Sequence, residues 1–179
     1  MTRIGSVYAR ALYDLAADEG LSREILDQMS ILRDVFAQNP DYMRLLSTPN
    51  LSGEDRCKIV DDGFRGRVQP YVLNFIKLLT GKGYIRHFPD CCDAYREMYN
   101  GDHDILPVRA VAAIPMTEAQ RARLCARLEA LTGKHIELNC AVDPRCVGGV
   151  RLDYEGKRMD DTIRHRLDDM RSLLKNTVL

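Results

Sequence analysis

The sequence predicts an α+β protein, with an N-terminal six-helix bundle followed by a small C-terminal α/β domain. Up to about residue 102, apolar residues recur at three- and four-residue steps, the spacing of amphipathic helices. After Asn100–Asp102 the spacing changes, and Ile105–Ile114 alternates with the two-residue period of a strand. The change of period at a Gly-containing turn predicts domains at 1–102 and 103–179.

The first three helices have recognisable ends. The first carries an apolar stripe and stops at Gly20, a residue that favours a helix C-terminus. The second begins at Ser22, a typical N-cap, and ends before Asn39–Pro40. A short third helix covers Tyr42–Leu46. The stripe of the first helix consists of Ile4, Tyr8, Ala11, Leu12 and Leu15, and the small residues Ala9 and Ala16 flank it.

The fifth helix stands out among the next three. Ser52 is the predicted cap of the fourth helix, and Pro70 suits the first turn of the fifth. Tyr71–Leu79 is nearly all apolar, and a helix that is apolar around its circumference is buried or covered by a partner. A sixth helix is predicted from about Pro89 to Tyr99.

The C-terminal domain reads as strands and helices in alternation. Thr117–Gln120 is a capping box, which opens a helix that stops at Gly133. Ile136–Val142 alternates as a strand, and Glu155–Gly156 is a two-residue hairpin turn between two further strands. A final helix is predicted from an apolar seam at helical spacing, formed by Ile163, Leu167, Met170 and Leu174.

Charge gives little reason to expect a nucleic-acid partner. Twenty-six basic residues balance 26 acidic ones, so the chain has no net field to attract a polyanion. Basic residues do cluster late, from Arg151 to Lys175, but acidic residues interleave with them and Tyr154 is the only aromatic among them. A solvated face of mixed charge is the favoured interpretation. A helical nucleic-acid-binding adaptor remains the alternative.

The six cysteines form no zinc-binding or disulfide pattern. The chain has no CxxC pair, and the spacings fit neither a zinc ribbon nor a small secreted scaffold. Their surroundings favour free thiols packed as small apolar side chains. The adjacent pair Cys91–Cys92 leaves open a thiol enzyme, which would require a reactive thiolate.

Other candidate motifs indicate structure rather than catalysis. Gly148–Gly149 follows a Pro turn and precedes a strand, whereas a phosphate-binding loop precedes a helix, so the glycines are expected to shape the start of the strand. Asp160 and Asp161 are expected to cap and charge the start of the last helix, and Thr162 is expected to cap it as well. No catalytic residue, cofactor site or metal site is predicted.

Several segments together resemble the delta subunit of F-type ATP synthases, called the oligomycin-sensitivity-conferring protein in mitochondria. They occur in the family's order along the whole chain, including the change from helices to α/β. The matching segments are Val7–Leu12 with Ala16, Asn74–Leu79, Lys82–Tyr84, His87–Pro89, Val142–Pro144, Gly148–Val150 and Met159–Leu167. The sequence departs from the family where Asp161 and Thr162 replace Gly and Ser, and where Tyr84 replaces Arg.

The resemblance implies a non-catalytic stator subunit of a proton-translocating enzyme, with no cofactor. The helical domain would bind the N-terminal helix of an alpha subunit in a groove between its first and fifth helices. Small residues on the first helix and the apolar fifth helix agree with such a groove. The candidate groove residues are Tyr8, Ala9, Leu12, Tyr13, Ala16, Asn74, Phe75, Leu78 and Leu79, about half of which we expect in the bundle core.

The same resemblance assigns a second partner to the C-terminal domain. That domain would bind the b subunits of the peripheral stalk, with Ile163, Leu167, Met170 and Leu174 as the apolar contact. The implied location is the cytoplasmic face of a bacterial membrane, reached only through the assembled complex. No apolar run in the sequence approaches the roughly 20 residues that a membrane-spanning helix needs.

Overall fold

Helices fill the first hundred residues of the computed structural model, which describes residues 3–48, 50–146, 148–160 and 162. The chain divides into two units, Met1–Gly101 and Asp102–Leu179. In the first unit the helices are α1 Arg3–Asp18, α2 Ser22–Gln38, α3 Pro40–Ser47, α4 Gly53–Phe64, α5 Pro70–Gly81 and α6 Phe88–Asp102, and a 3-10 helix covers Ile85–His87. None of the helices in the described residues is long and apolar enough to cross a membrane.

A four-stranded sheet organises the second unit. Its elements are β1 Ile105–Ala112, α7 Glu118–Thr132, β2 His135–Val142, a 3-10 helix Pro144–Cys146, β3 Val150–Tyr154 and β4 Lys157–Asp160. The strand order is β2-β1-β3-β4, with β1 and β2 parallel and the other two pairs antiparallel. The parallel pair is joined through α7, because parallel strands need a crossover connection.

The predicted fold class, a six-helix bundle followed by a small α/β domain, requires correction. The described residues form seven α-helices and a four-stranded sheet, so a six-helix bundle does not describe them. The first unit also uses the 3-10 helix at Ile85–His87, which packs against the eight-residue α3 and buries Ile85 completely. A helical N-terminal part followed by an α/β part is consistent with the structure.

Aromatic rings form the centre of the helical unit. Phe88, at the start of α6, is fully buried, and its ring centroid lies 5.1 Å from that of Phe36 and 6.4 Å from that of Phe75. Tyr95 packs edge-on against Tyr13 at 5.1 Å. Its hydroxyl donates to the carbonyl of Ser22 at 3.1 Å. Since aromatic side chains bury large areas, these contacts tie α6 to α1, α2 and α5.

The predicted turn signals of the second unit are confirmed. The Thr117 hydroxyl accepts from the Gln120 N–H at 3.3 Å, and the Gln120 side-chain oxygen accepts from the Thr117 N–H at 2.9 Å, which completes the capping box. Gly133 ends α7 at φ +69°. Glu155 and Gly156 both take positive φ, 46° and 73°, as the tight hairpin between β3 and β4 requires.

A charged cluster joins α4 to α5. Lys77 Nζ lies 2.7 Å from Asp61 Oδ2, and Arg65 Nη2 lies 3.0 Å from the same oxygen. The hydrogen bond from Lys77, assisted by Arg65, lowers the pKa of the Asp61 carboxyl below its ordinary value of 3.8. A carboxyl whose pKa is lower in the folded chain stabilises the fold above its unfolded pKa. This contribution is lost as the pH falls through the folded value.

Replacing Asp61 by Asn should therefore destabilise the chain in a pH-dependent way. At pH 7 we expect Asp61→Asn to lower the melting temperature, because Lys77 and Arg65 lose their charged partner. As the pH falls below about 4, the difference between the two melting temperatures should shrink, and it should vanish only below the folded pKa of the carboxyl, which is lower than 3.8. Thermal unfolding followed by circular dichroism between pH 3 and 7 measures this. Asp62→Asn, at an exposed neighbour, is the control. A constant difference at all pH values would contradict the assignment.

Candidate partner-binding groove

An apolar groove lies between α1 and α5 on the helical unit. It encloses about 370 Å³ and is called here the α1–α5 groove. Pockets of this volume lie in the range that proteins use to seat apolar groups of a ligand. The residues that line it are Tyr8, Ala11, Leu12, Leu15, Tyr71, Asn74, Phe75 and Leu78.

The groove exists because the two helices carry different kinds of side chain at its floor and its rim. Leu12 and Phe75 are each only 5% exposed and form a fixed apolar floor. On the rim, Leu15 is 42% exposed and Leu78 is 46% exposed. Ala11 also lines the groove and supplies only a methyl group, so it leaves the space open. Half-exposed leucines beside an open cavity are typical of a surface that a partner covers.

Hydrogen bonds to α2 fix the start of α5. The Gln69 N–H donates to the Gln28 side-chain oxygen at 2.7 Å. The Gln69 side-chain amide donates to Glu24 at 2.6 Å. Since Gln69 immediately precedes Pro70, these bonds hold the end of the groove that contains Tyr71 and Leu15. The groove is therefore formed by anchored elements of the helical unit.

Aromatic residues close the opposite end of the groove. The Tyr84 ring, just beyond the end of α5, lies 6.1 Å from the Tyr8 ring and 6.3 Å from the His87 ring. Tyr84 is 36% exposed, so part of its side chain is open to solvent. At the position where the family usually has Arg, this chain thus places a ring that contacts α1.

The structure separates the nine predicted groove residues into two groups. Tyr8, Leu12, Asn74, Phe75 and Leu78 line the groove together. The other four lie in the core of the helical unit, at exposures between 0% and 5%, and are Ala9, Tyr13, Ala16 and Leu79. Ala9 and Ala16 are 0% exposed, so they permit close helix packing rather than contact with a partner.

Three lining residues were not among the predicted groove residues. They are Ala11, Leu15 and Tyr71. The sequence did contain a signal for two of them, since Ala11 and Leu15 belong to the apolar stripe of the first helix. A surface helix usually needs only one apolar face, the one that packs on the core. The apolar stripe of the first helix is wider than that, so it can supply residues both to the core and to a surface groove.

The predicted stalk contacts cannot be placed in the same way. Ile163, Leu167, Met170 and Leu174 lie outside the described residues. Just before them, Asp160 Oδ1 accepts from the Thr162 N–H at 3.1 Å and from its hydroxyl at 2.6 Å. This local turn is typical of a capping Asp.

The Gly148–Gly149 pair borders a second cavity, in the C-terminal unit. Gly149 takes φ +82° immediately before β3, a conformation that favours glycine. The cavity encloses about 330 Å³, and Ile114, Pro115 and Val150 also line it. Ile114 is 73% exposed. This apolar surface belongs to the unit to which the resemblance assigns a second partner.

Two of the late basic residues in the described part of the chain, Arg151 and Arg158, are paired with the same acidic residue. Asp153 lies 2.9 Å from Arg158 Nε and 3.4 Å from Arg151 Nε. Arg145 forms a similar pair with Asp143 at 3.0 Å. A nucleic-acid site would present such cations to phosphates instead. These pairs favour the interpretation of a solvated face of mixed charge.

The adjacent cysteines Cys91 and Cys92 lie in the core, at 0% and 3% exposure. Burial raises the pKa of each thiol to about 12. Since the thiolate is the reactive form, both thiols are protonated and inert at neutral pH. Across the described residues, no three His, Cys, Asp or Glu side chains are grouped so that they could hold a metal ion.

Alkylation should therefore spare Cys91 and Cys92 in the folded chain. At pH 8 a thiol with a pKa of about 12 is roughly one part in 10,000 thiolate, so iodoacetamide should leave both residues unmodified for hours. The half-buried Cys57 serves as the internal reference. Mass spectrometry of peptides, with a urea-unfolded sample as the positive control, measures the modification. Faster reaction at Cys91 or Cys92 than at Cys57 would revive the thiol-enzyme hypothesis.

Comparison with known proteins gives one consistent family. A model of the ATP synthase delta (OSCP) subunit family matches residues 4–174. The ATP synthase subunit delta of Alkaliphilus oremlandii is 29% identical over 172 residues, 96% of each chain. That of Chlorobium chlorochromatii is 27% identical over 167 residues, 93% of each chain. A chain of the Toxoplasma gondii mitochondrial ATP synthase hexamer shares the fold, with a TM-score of 0.74 at 15% identity over 97% of this chain and 98% of that one.

Proposed function

Because this chain belongs to the ATP synthase delta (OSCP) subunit family, we propose that it is the non-catalytic stator subunit that joins the catalytic head to the peripheral stalk. A rotary enzyme transmits work only if its head is prevented from turning with the rotor. The chain would provide this restraint by binding the head through its helical unit and the stalk through its C-terminal unit. The chain would thus act as a mechanical connection, and the coupling of rotation to ATP synthesis would depend on that connection.

The α1–α5 groove is the observation that carries this proposal. An amphipathic helix presents apolar side chains at one-turn intervals, and a groove between two helices accepts them. The groove has an apolar floor at Leu12 and Phe75 and exposed apolar rims at Leu15 and Leu78. We propose that the N-terminal helix of an alpha subunit docks there, with the five predicted residues that line the groove among its contacts.

The expected strength of this contact follows from the size of the groove. Burial of a large apolar side chain contributes roughly 1.5–3 kcal/mol. Three such side chains would contribute roughly 4.5–9 kcal/mol before the costs of association are subtracted. A dissociation constant of about 1 μM corresponds to about −8 kcal/mol. Because three side chains do not reach this value once the costs of association are subtracted, micromolar binding of the isolated helix requires further contacts along the groove. We expect tighter binding in the assembled enzyme, where several contacts act together.

The second connection is assigned to residues 103–179. We propose that this part of the chain binds the b subunits of the peripheral stalk, with Ile163, Leu167, Met170 and Leu174 as apolar contacts. Exposed Ile114 beside the cavity at Gly148–Gly149 gives the same unit a further apolar surface. Through these subunits the chain would lie on the cytoplasmic face of a bacterial membrane.

Titration with a peptide tests the proposed head contact. The peptide copies the N-terminal helix of the alpha subunit from the same organism and is titrated into the folded chain in a calorimeter. We expect saturation at micromolar peptide with a negative heat-capacity change, the mark of apolar burial. A scrambled peptide of the same composition is the control. Failure of the native peptide to saturate, or equal binding of the scrambled one, would overturn the proposed use of the groove.

A further inference from the structure

The two ends of the α1–α5 groove are distinguishable because α1 and α5 run in opposite directions along it. The ring of Tyr8, near the start of α1, contacts Tyr84, which follows the end of α5. The other end of the groove is formed by Leu15, late in α1, and Tyr71, early in α5. We call these the Tyr8 end and the Leu15 end.

Acidic side chains gather at the Leu15 end. Asp14, Asp18 and Glu19 lie on or just after the last turns of α1, and all three are exposed. No ion pair involves them among the residues that the structure describes. One basic residue, Arg67, precedes α5 at the same end. Glu24, which accepts a hydrogen bond from Gln69, adds a fourth acidic charge at this end, and the neighbouring Arg23–Asp27 ion pair adds no net charge. This end therefore carries four acidic charges against one basic charge.

Basic side chains lie at the Tyr8 end. Lys82 directly follows α5 and stands four residues beyond Leu78, and Arg86 lies in the adjacent 3-10 helix. Both are exposed, and neither joins an ion pair within the described segments. The start of α4 approaches this end, where Gly53 lies beside Gly81, but the two acidic and two basic side chains of residues 54–58 add no net charge.

We propose that the α1–α5 groove is electrostatically polarised and selects a helix with a basic end over Leu15 and an acidic end over Tyr8. The inference rests on the proposed function, since it specifies the partner of the same groove. The apolar floor attracts the apolar face of a helix but does not favour either of the two orientations in which the helix can lie. Charges near the two ends of the groove act over about 8–10 Å at physiological salt, enough to reach the ends of a docked helix. Such complementarity fixes register and orientation more than affinity.

Two designed peptides can reveal the orientation directly. Both are helices of about 20 residues with blocked termini and the same apolar face. One carries Lys on the polar face of its first half and Glu on that of its second half, and the other has the two halves exchanged. Each bears a nitroxide label at its N-terminus, and amide signals of the isotope-labelled chain are recorded by NMR.

We expect the position of the N-terminal nitroxide label to depend on which half of the peptide carries Lys. The peptide with Lys first should broaden the amide signals of residues 15–20, and the peptide with Glu first should broaden those of residues 81–86. The double variant Asp14→Lys, Asp18→Lys should weaken both peptides about three- to tenfold at low salt and remove the preference. Asp34→Lys, at an exposed position of α2, should change neither.

The experiment distinguishes a failure of the proposed groove polarity from a failure of the proposed stator function. The native alpha-subunit peptide is titrated in parallel as the reference. If it binds but both designed peptides place their labels at the same end, or at both ends equally, the polarity is wrong and the groove remains a helix site. If the native peptide also fails to saturate, the proposed function fails with it.

Discussion

Ala11→Trp is expected to raise the dissociation constant of the alpha-subunit peptide about 100-fold, a loss of about 2.7 kcal/mol. Ala11 lines the α1–α5 groove, and its methyl group leaves the cavity open. An indole at this position would occupy the space in which the partner's apolar side chains would lie. Because position 11 is exposed, the substitution should change the free energy of unfolding by no more than about 0.5 kcal/mol.

The matched control for this prediction is Ala17→Trp. Ala17 is also exposed on α1 and does not line the groove. The same indole placed there should leave peptide binding unchanged. Calorimetry measures the affinity of both variants, and urea denaturation followed by circular dichroism measures their stability. Equal affinities for Ala11→Trp and wild type would show that the partner binds elsewhere. Ala9→Trp is unsuitable for this test, since Ala9 is 0% exposed and a larger side chain there would disrupt the core.

Phe88→Ala is expected to destabilise the helical unit by about 3–5 kcal/mol. The Phe88 side chain is fully buried and its ring packs against Phe36 and Phe75, so truncation leaves a cavity at the junction of α2, α5 and α6. A domain has only about 5–15 kcal/mol of stability in total. The variant should therefore unfold at much lower urea concentration, as followed by helical circular dichroism.

Phe88→Ala should also loosen the packing of the groove floor. Phe75 forms part of the groove floor and loses one of its ring contacts when Phe88 is truncated. Phe64→Ala is the matched control, since Phe64 is only half-buried, although its ring also contacts Phe36. We expect the control to cost less than half as much. A loss below about 1 kcal/mol for Phe88→Ala would contradict the position of Phe88 at the centre of the core.

Local signals explain which parts of the fold the sequence predicted. A capping box at Thr117–Gln120, a glycine at 133 and a hairpin turn at Glu155–Gly156 act through neighbouring backbone groups, so they can be recognised without tertiary information. The 3-10 helix at Ile85–His87 has no such local signal. It forms where Ile85 is buried against α3, and this burial depends on the packing of the whole unit.

The residues of the groove also show that the sequence alone does not predict features that depend on tertiary packing. Ala9 and Ala11 are chemically identical and two positions apart, yet Ala9 is in the core and Ala11 lines the groove. The first helix is apolar over so much of its circumference that residue type does not identify the inward direction. The packing of the other helices against α1 decides it, because it buries Ala9 and leaves Ala11 in the groove.

Proton pumping driven by ATP tests the stator role most directly. Membranes stripped of the catalytic head are reconstituted with head from the same organism that lacks this subunit, and the purified chain is then added. We expect strong pumping with the wild-type chain and with Ala17→Trp, and weak pumping without the chain or with Ala11→Trp. Equal pumping with and without the chain, at equal ATP hydrolysis, would contradict the claim that it joins the head to the stalk.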